Sequence, residues 1–373
     1  MAIYIEKLMI DHFKGINNLK IDELNHINII AGDNNTGKTS VLEALLFLRN
    51  PSDFNNILRI SRMRDLNSFF SSSTLYDSFI NIFPKDITTK TISIEAMCKG
   101  KNVICRLEGD QKKIMVDPED ILKKMSVSRR NNFIRNMNSD FVEIESYNGV
   151  LSSRINGISD RAEVQIASYE TTSGREINQK NFLDIIYLSP TEHVRGYVIN
   201  SILRNDSYKE ICLHILQLFD VDIVDLFMLR NEENNRPIEY IKHRILGNMP
   251  ISTYGDGIKK VLSIANGIAQ ATGGVLLIDE IETAIHSKYY EDIFQFLVKA
   301  ALQFDVQVFV STHSIEAIDG LLSTQDYLQQ QKEDNISVIT FKKDLMGKDT
   351  FSRVLAGRHV FKNREQFGFE VRL

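Results

Sequence analysis

The sequence feature that most constrains this chain is a glycine-rich loop near its N-terminus, Gly32-Asp33-Asn34-Asn35-Thr36-Gly37-Lys38-Thr39. The loop fits the pattern G-x-x-x-x-G-K-[ST], in which successive backbone N–H groups curl around phosphates. An apolar run, His26–Ile30, precedes the loop, and apolar residues at helical spacing follow it from Val41 to Leu48. The segment therefore predicts a strand, a phosphate-binding loop and a helix whose positive end favours an anion.

Two side chains of this loop have separate expected roles. The Lys38 ammonium is expected to reach the β- and γ-phosphates of a nucleotide, and the Thr39 hydroxyl is expected to be a ligand for Mg²⁺. The segment predicted to bind ATP comprises Gly32, Asp33, Asn34, Asn35, Thr36, Gly37, Lys38, Thr39 and Ser40. A random chain of this length contains such a match about once in a hundred, so a structural accident is the minor alternative.

A second motif is the apolar run Val275–Ile278, which ends in two acids, Asp279 and Glu280. Acids at the carboxyl end of a buried strand lie where open α/β sheets bind ligands. Asp279 is expected to hold Mg²⁺, directly or through water, and Glu280 to polarise the water that attacks the γ-phosphate. Alone, the pattern is common at strand ends; together with the phosphate loop it indicates a Walker B motif.

Two further segments follow the same logic. The next predicted strand, Val306–Thr312, is followed by His313, whose imidazole could contact the γ-phosphate or the attacking water. Gly255, Asp256 and Gly257 open a predicted helix, Ile258–Ala271, where backbone N–H groups can meet an anion. A structural histidine and a plain helix cap are the alternative interpretations, and the order of all four motifs favours the functional ones.

This order of motifs resembles the ATP-binding-cassette (ABC) type of ATPase, in which two heads sandwich two nucleotides. Within that superfamily, four segments resemble the SMC/RecF-like branch, and most closely the OLD-family ATPases: Ile10-Asp11-His12-Phe13-Lys14-Gly15, GDNNTGKTS, YGDGIKKVL and IDEIETAIH. The resemblance implies ATP and Mg²⁺ as ligands and a place for Phe13 and Lys14 at the nucleotide. It also implies that Gly255–Gly257 of one head faces the phosphate loop of another.

The chain departs from the family pattern in three places. Gly255 stands where the cassette signature usually has a serine, so the γ-phosphate contact would fall to backbone N–H groups and to Ser252 or Thr253. No glutamine can be assigned to the Q-loop, for which 189–192 is the best location. About sixty residues follow His313, too few for the Toprim nuclease of many OLD-family proteins. The resemblance thus implies a stand-alone ATPase controlling a separate effector, as in several phage-defence systems.

The predicted fold class is α/β: a P-loop NTPase head of ABC type, with a mainly parallel sheet covered by helices. An N-terminal antiparallel β part and a helical lobe, with a helix predicted over Asp206–Asp220, complete it. We expect one discontinuous head over 1–373. Its nucleotide-binding core comprises 1–48 and 250–373, a mixed β insert covers 49–195, and the helical lobe with a hairpin covers 196–249.

Charge and cysteine content limit which binding partners and which cellular compartment are expected for this chain. The 44 basic and 49 acidic residues give a net charge of −5, so no global positive field indicates nucleic-acid binding. A basic stretch could face a phosphate backbone, although a solvated surface is the stronger interpretation: Lys112, Lys113, Lys123, Lys124, Arg129, Arg130 and Arg135. Three scattered cysteines favour a reducing compartment, and no signal or membrane segment is apparent. We expect a cytoplasmic protein without a membrane partner.

These observations lead to one main hypothesis and two alternatives. The main hypothesis is a Mg²⁺-dependent ATPase whose heads pair on ATP, as a dimer or higher homo-oligomer, and separate on hydrolysis, controlling an effector or acting on DNA. The first alternative is a RecF-like DNA clamp or a nucleotide-gated scaffold with negligible turnover. The second, a transporter cassette, is disfavoured because about 240 residues separate Lys38 from Asp279.

Overall fold

The computed structural model describes residues 2–64, 74–85, 89–124, 141–170, 181–194, 199–231, 234–327, 334–344 and 349–371, without the side chains of 123 and 124. The described strands are, in chain order, β1 (Ile5–Asp11), β2 (Leu19–Ile21), β3 (Ile27–Ala31), β4 (Lys90–Cys98), β5 (Lys101–Val116), β6 (Val142–Ile155), β7 (Ile158–Ala167), β8 (Ile185–Leu188), β9 (Ile223–Arg230), β10 (Pro237–His243), β11 (Gly247–Pro250), β12 (Val275–Ile278), β13 (Gln307–Thr312), β14 (Ile336–Lys343) and β15 (Thr350–Ala356).

The described α-helices begin with α1 (Lys38–Leu45), which directly follows the phosphate loop. The others are α2 (Phe54–Arg62), α3 (Leu75–Ile80), α4 (Pro118–Lys124), α5 (Asp206–Leu216), α6 (Asp256–Gln270), α7 (Tyr290–Gln303), α8 (Ile315–Leu322) and α9 (Gly357–Phe367). No helix among the described residues is both long enough and apolar enough to cross a membrane.

The phosphate loop and the acidic motif both follow strands of one six-stranded sheet, the core sheet. Its strand order is β15-β14-β3-β13-β12-β8, and every neighbouring pair is parallel except β14 with β15. Strands β3, β12 and β13 are buried along their whole length, as expected for a parallel sheet covered on both faces. The α/β fold with a mainly parallel sheet is confirmed.

A second six-stranded sheet, with the order β2-β1-β4-β5-β6-β7, is antiparallel throughout. Strand β4 alternates buried and partly exposed residues, the pattern of a sheet with one face on a core. The N-terminal antiparallel part predicted from the sequence is therefore confirmed, and it continues into the segment 90–167. The third sheet, β11-β10-β9, has three antiparallel strands.

Two hydrophobic cores lie on opposite faces of the core sheet. In β12, Leu276 and Ile278 belong to the core shared with α5–α8, whereas Val275 and Leu277 belong to the core shared with α1 and the antiparallel sheet. The buried Gln307 side chain ties the two sheets together. It accepts from the backbone N of Tyr4 and Ile5 and donates to the carbonyls of Ile5 and Asn25, at 2.8–3.1 Å.

The structure differs from the sequence expectations at several boundaries. Helix α5 ends at Leu216 instead of Asp220, and its N-cap is Asn205, whose Oδ1 accepts from the Tyr208 N–H. Helix α6 begins two residues earlier than predicted. The core sheet also includes β8, which the sequence placed in the insert, because β8 pairs in parallel with β12. The described part of 196–249 combines α5 with the three-stranded sheet.

Candidate functional site

The glycine-rich loop connects β3 to α1 as the sequence predicts. Gly37 is the N-cap of α1 and has a φ of 98°, a conformation that residues with a Cβ rarely adopt. The Lys38 ammonium lies inside the loop, 2.7 Å from the carbonyl oxygens of Gly32 and Asp33. The loop residues Asp33, Asn34 and Asn35 are exposed, so backbone and ammonium donors meet at an accessible surface.

The Asp279 carboxylate connects the acidic motif that follows β12 with the glycine-rich phosphate loop. Its Oδ1 accepts from the Thr39 hydroxyl at 3.1 Å and from the Ser311 hydroxyl, and its Oδ2 accepts from the Tyr187 hydroxyl at 3.0 Å. A carboxylate beside a threonine hydroxyl is the hard-oxygen set that Mg²⁺ prefers. Thr39 and Asp279 therefore fit the metal role assigned to them from the sequence.

Glu280 has an unusual backbone conformation directly after β12. Its φ is +49°, a strained value for a residue with a side chain that costs about 1–3 kcal/mol. Two contacts fix the peptide: the Glu280 N–H donates to the Ser311 hydroxyl at 2.9 Å, and the Lys260 ammonium lies 3.4 Å from the Glu280 carbonyl oxygen. The Glu280 carboxylate is partly exposed, and its Oε2 accepts from the Thr283 hydroxyl at 3.4 Å.

Lys260 is a buried cation on α6, the helix that the glycines Gly255 and Gly257 begin. Burial lowers the pKa of its ammonium to about 8, and the opposing attraction comes first from Glu282, then from Asp279 and Glu280. The pKa of Lys38 is also lowered by burial, and Glu282 is again the acid that most opposes the change. Helix α6 thus carries a positive charge to the acids that follow β12.

His313 follows β13 and is paired with Glu282. The Glu282 Oε1 lies 2.8 Å from both the backbone N and the ring Nδ1 of His313. The histidine side chain is 48% exposed, whereas that of Glu282 is only 9% exposed. The sequence thus predicted the position of the imidazole, and the structure adds the acid that holds it.

The N-terminal segment that resembles the SMC/RecF-like branch lies against α1. Lys14 pairs with Glu43 at 2.5 Å, and Arg64 holds the other side of the same carboxylate at 2.8 Å and reaches the Ser40 hydroxyl at 3.3 Å. Phe13 is fully buried and packs edge-on against Phe47. The Phe13 ring therefore belongs to the core, which corrects the expectation that it lies at the nucleotide.

A basic cavity of about 570 Å³ opens beside the loop. Its walls include Lys14, Asn35, Gly37, Ser40, Arg64, Phe83, Pro84, Lys85 and Lys343. The described lining residues include four cations and no acid, together with apolar and amide groups. Such a cavity suits an anionic ligand that also has an apolar portion.

Gly255 and Asp256 lie at the protein surface. Gly255 is the N-cap of α6, Asp256 is 60% exposed, and Asp256 pairs with Lys259. A Cβ on Gly257 would lie 3.2 Å from the Ala284 carbonyl oxygen, so the helix start packs closely on the loop after β12. The structure therefore leaves the two N-terminal residues of this motif accessible and uses the third for packing.

The basic stretch proposed to face nucleic acid is only partly described. Lys112 and Lys113 are exposed on β5; Lys113 pairs with Glu143 across the ladder at 2.6 Å, and Lys112 lies 4.0 Å from Asp110. Arg129, Arg130, Arg135 and the side chains of Lys123 and Lys124 lie outside the described residues. DNA binding by this stretch stays a prediction.

Sequence reasoning missed five residues that the fold brings to the site: Tyr187, Lys260, Glu282, Ser311 and Arg64. Nothing in the sequence pattern around Tyr187 indicated a contact with Asp279. The spacing of Glu282, two residues after Glu280, was a usable signal. Arg64 follows a helix with no motif, so only the structure could find it.

Comparisons with known proteins agree with this arrangement. A family model described as "AAA domain, putative AbiEii toxin, Type IV TA system" matches residues 27–319. An ATP/GTP phosphatase of Helicobacter pylori is 24% identical over 349 residues, which cover 88% of this chain and 91% of that protein. The DNA replication and repair protein RecF of Clostridium botulinum is 23% identical over 260 residues, covering 63% of this chain and 67% of RecF.

A solved structure shows a similar fold. An SMC head, crystallised bound to the C-winged helix domain of ScpA, matches with a TM-score of 0.50 and 14% identity. The match covers 96% of this chain and all of the SMC head chain. The expected SMC/RecF-like head of ABC type is confirmed at the level of the fold.

Proposed function

The chain belongs to this family of AAA domains, and from that premise we propose that it is a Mg²⁺-dependent ATPase whose heads pair around ATP and separate after hydrolysis. The observation that carries the proposal is the contact of Thr39, in the phosphate loop, with Asp279, at the end of β12. The two motifs are 240 residues apart in sequence and adjoin in space. The proximity of these two motifs supports a nucleoside triphosphate as the ligand.

Each residue of the site has one role in this proposal. Lys38 binds the β- and γ-phosphates, and the loop N–H groups surround them. Thr39 and Asp279 hold Mg²⁺, which neutralises charge on the phosphates when bound. Glu280 orients and polarises the attacking water, and His313 contacts the γ-phosphate. The basic cavity beside Lys14 and Arg64 takes the remainder of the nucleotide.

Pairing of two heads is the second part of the proposal. The accessible start of α6, at Gly255 and Asp256, supports it, because these N–H groups can meet the phosphate of a nucleotide held by another copy. Binding energy from ATP then favours the paired state, and hydrolysis removes it.

The output of the switch is control of a separate effector. The family description, which names a putative AbiEii toxin of a type IV toxin–antitoxin system, supports a partner of this kind and a role in defence. Action on DNA is the other output that the resemblance to RecF supports. A mobility shift measured with and without ATP at two salt concentrations separates them, because phosphate contacts give a steep salt dependence.

The experiment that tests the proposal measures hydrolysis and mass together. Wild-type protein, Lys38→Ala, Glu280→Gln and a control, Glu291→Gln, are assayed with ATP and with GTP in Mg²⁺, and oligomeric mass is recorded in parallel. Glu291 is an exposed acid in the first turn of α7. We expect Lys38→Ala to lose nucleotide binding and Glu280→Gln to bind ATP, stop turnover and accumulate as a dimer.

The control should behave as the wild type in both measurements. Hydrolysis by Glu280→Gln at the wild-type rate would refute the role of Glu280. Full turnover by a protein that stays monomeric with ATP would refute the pairing of heads but not the proposed ATPase activity.

A further inference from the structure

A third acid, Glu282, stands at the site and has no role in the reaction described above. We propose that Glu282 is a positioning residue that orients the His313 imidazole toward the terminal phosphate, an inference that rests on the proposed function. Both residues lie just beyond neighbouring parallel strands, β12 and β13. Two buried, hydrogen-bonded strands therefore place both residues.

One carboxylate oxygen holds the histidine at two points. The Glu282 Oε1 is 2.8 Å from the backbone N and 2.8 Å from the ring Nδ1 of His313. An ionised carboxylate only accepts hydrogen bonds, so the Nδ1 must carry a proton and donate it. The neutral ring then has its lone pair on Nε2, and the ring cannot rotate without breaking the Nδ1 contact. Glu282 thus fixes both the tautomer and the direction of the imidazole.

Glu282 lies near two lysines, one in the phosphate loop and one on α6. Its side chain is 91% buried, an unfavourable place for an isolated carboxylate. Two ammonium groups compensate for this burial, and for both Lys38 and Lys260 the attraction of Glu282 exceeds that of Asp279 and of Glu280. Glu282 therefore connects the phosphate-loop lysine, the α6 lysine and the histidine in one electrostatic cluster.

The second oxygen of Glu282 argues against a purely structural role. Its Oε2 is buried and has no hydrogen-bond partner among the described residues. An unsatisfied buried oxygen costs about 1–3 kcal/mol, and a single hydroxyl could accept from the His313 N–H without that cost. A charged residue at this position has its physical rationale in orienting the imidazole and in attracting the two lysines.

A double-mutant cycle in the full chain tests the proposal. The proteins are wild type, Glu282→Ala, His313→Ala, the double variant and Glu291→Gln as an exposed control acid, each checked for folding by circular dichroism. We expect Glu282→Ala to lower kcat about 10- to 100-fold, by analogy with the loss seen when the partner that orients a metal-ligating histidine is removed, with KM for ATP changed less than about threefold. In the His313→Ala background the same substitution should cause no further loss.

The conservative variant Glu282→Gln tests whether a hydrogen-bond acceptor at this position is enough to support kcat. Glu282→Gln presents an amide oxygen that can still accept from both His313 donors, so we expect it to recover part of the kcat lost in Glu282→Ala. Independent, additive losses in the double variant, or a loss confined to KM, would overturn the proposal. Equal damage by the Gln and Ala variants would also overturn it.

A measurement without turnover separates this inference from the proposed function. In ¹⁵N-histidine NMR of the wild type, His313 should show the tautomer protonated on Nδ1, and this signature should be lost in Glu282→Ala. A His313 signal unchanged by the substitution overturns the proposal even in an active enzyme. Absence of ATP hydrolysis in the wild type, with the NMR result as expected, instead overturns the proposed function and leaves the positioning contact standing.

Discussion

Replacing Lys260 with methionine should make the protein more stable and its unfolding less dependent on pH. The lysine is almost completely buried on α6, and its ammonium has one long contact, 3.4 Å, with the Glu280 carbonyl oxygen. Methionine has a similar length and no charge, so Lys260→Met removes the desolvated ammonium without opening a large cavity. The pKa of Lys260, lowered to about 8 by burial, already includes the attraction of Glu282, Asp279 and Glu280.

The sign and the size of the effect follow from that pKa. The unfolded chain keeps the proton up to about pH 10.5, whereas the folded protein releases it near pH 8. Between these values the unfolded state binds more protons, so the free energy of unfolding rises with pH. Below pH 8 the folded protein carries the full free-energy cost of burying the charged Lys260 ammonium. At 1.36 kcal/mol for each pKa unit, the gap corresponds to about 3 kcal/mol, and this is the stabilisation expected of Lys260→Met at pH 7.

Urea unfolding of both proteins at pH 7, 8.5 and 10 measures this prediction. The difference in unfolding free energy between variant and wild type should be about 3 kcal/mol at pH 7 and should shrink toward pH 10, since other titrating groups cancel in the comparison. The matched control is Lys299→Met, which replaces an exposed lysine on α7. Its stability should stay within about 0.5 kcal/mol of the wild type at every pH.

A destabilised Lys260→Met, or a difference that does not change between pH 7 and pH 10, would refute the reasoning. The first result would mean that the three acids attract the ammonium more strongly than burial disfavours it. The second would mean that Lys260 keeps an ordinary proton affinity inside the fold.

Two other substitutions test the metal site and the connection between the sheets. Thr39→Val keeps the shape of the side chain but removes the hydroxyl 3.1 Å from Asp279. It should raise the Mg²⁺ concentration for half-maximal ATP hydrolysis about 10- to 100-fold, while Thr39→Ser stays near the wild type; equal Mg²⁺ dependence in all three would contradict the role. Gln307→Ala leaves the buried N–H groups of Tyr4 and Ile5 without their acceptor. At about 1–3 kcal/mol each, the loss in denaturant unfolding should be about 4 kcal/mol, and a loss below about 1 kcal/mol would count against the connection.

The sequence by itself determined the elements whose signals are local. The order of glycines, Lys38 and Thr39 predicted the phosphate loop, because a strand, a tight turn and a helix start are fixed by adjacent residues. The apolar run before Asp279 predicted a buried strand with acids at its end. These features depend on contacts within a few residues, and the fold confirmed them.

Tertiary structure alone decided which distant residues meet. Tyr187 is placed on Asp279 because β8 joins the edge of the core sheet. Lys260 reaches the acids because α6 packs across that sheet, and its proton affinity depends on burial that no local pattern encodes. Phe13 had a family-like context, yet packing against Phe47 buries its ring. Periodicity indicates which face of a strand or helix is buried, but the identity of the neighbour depends on strand order, and strand order is a property of the whole chain.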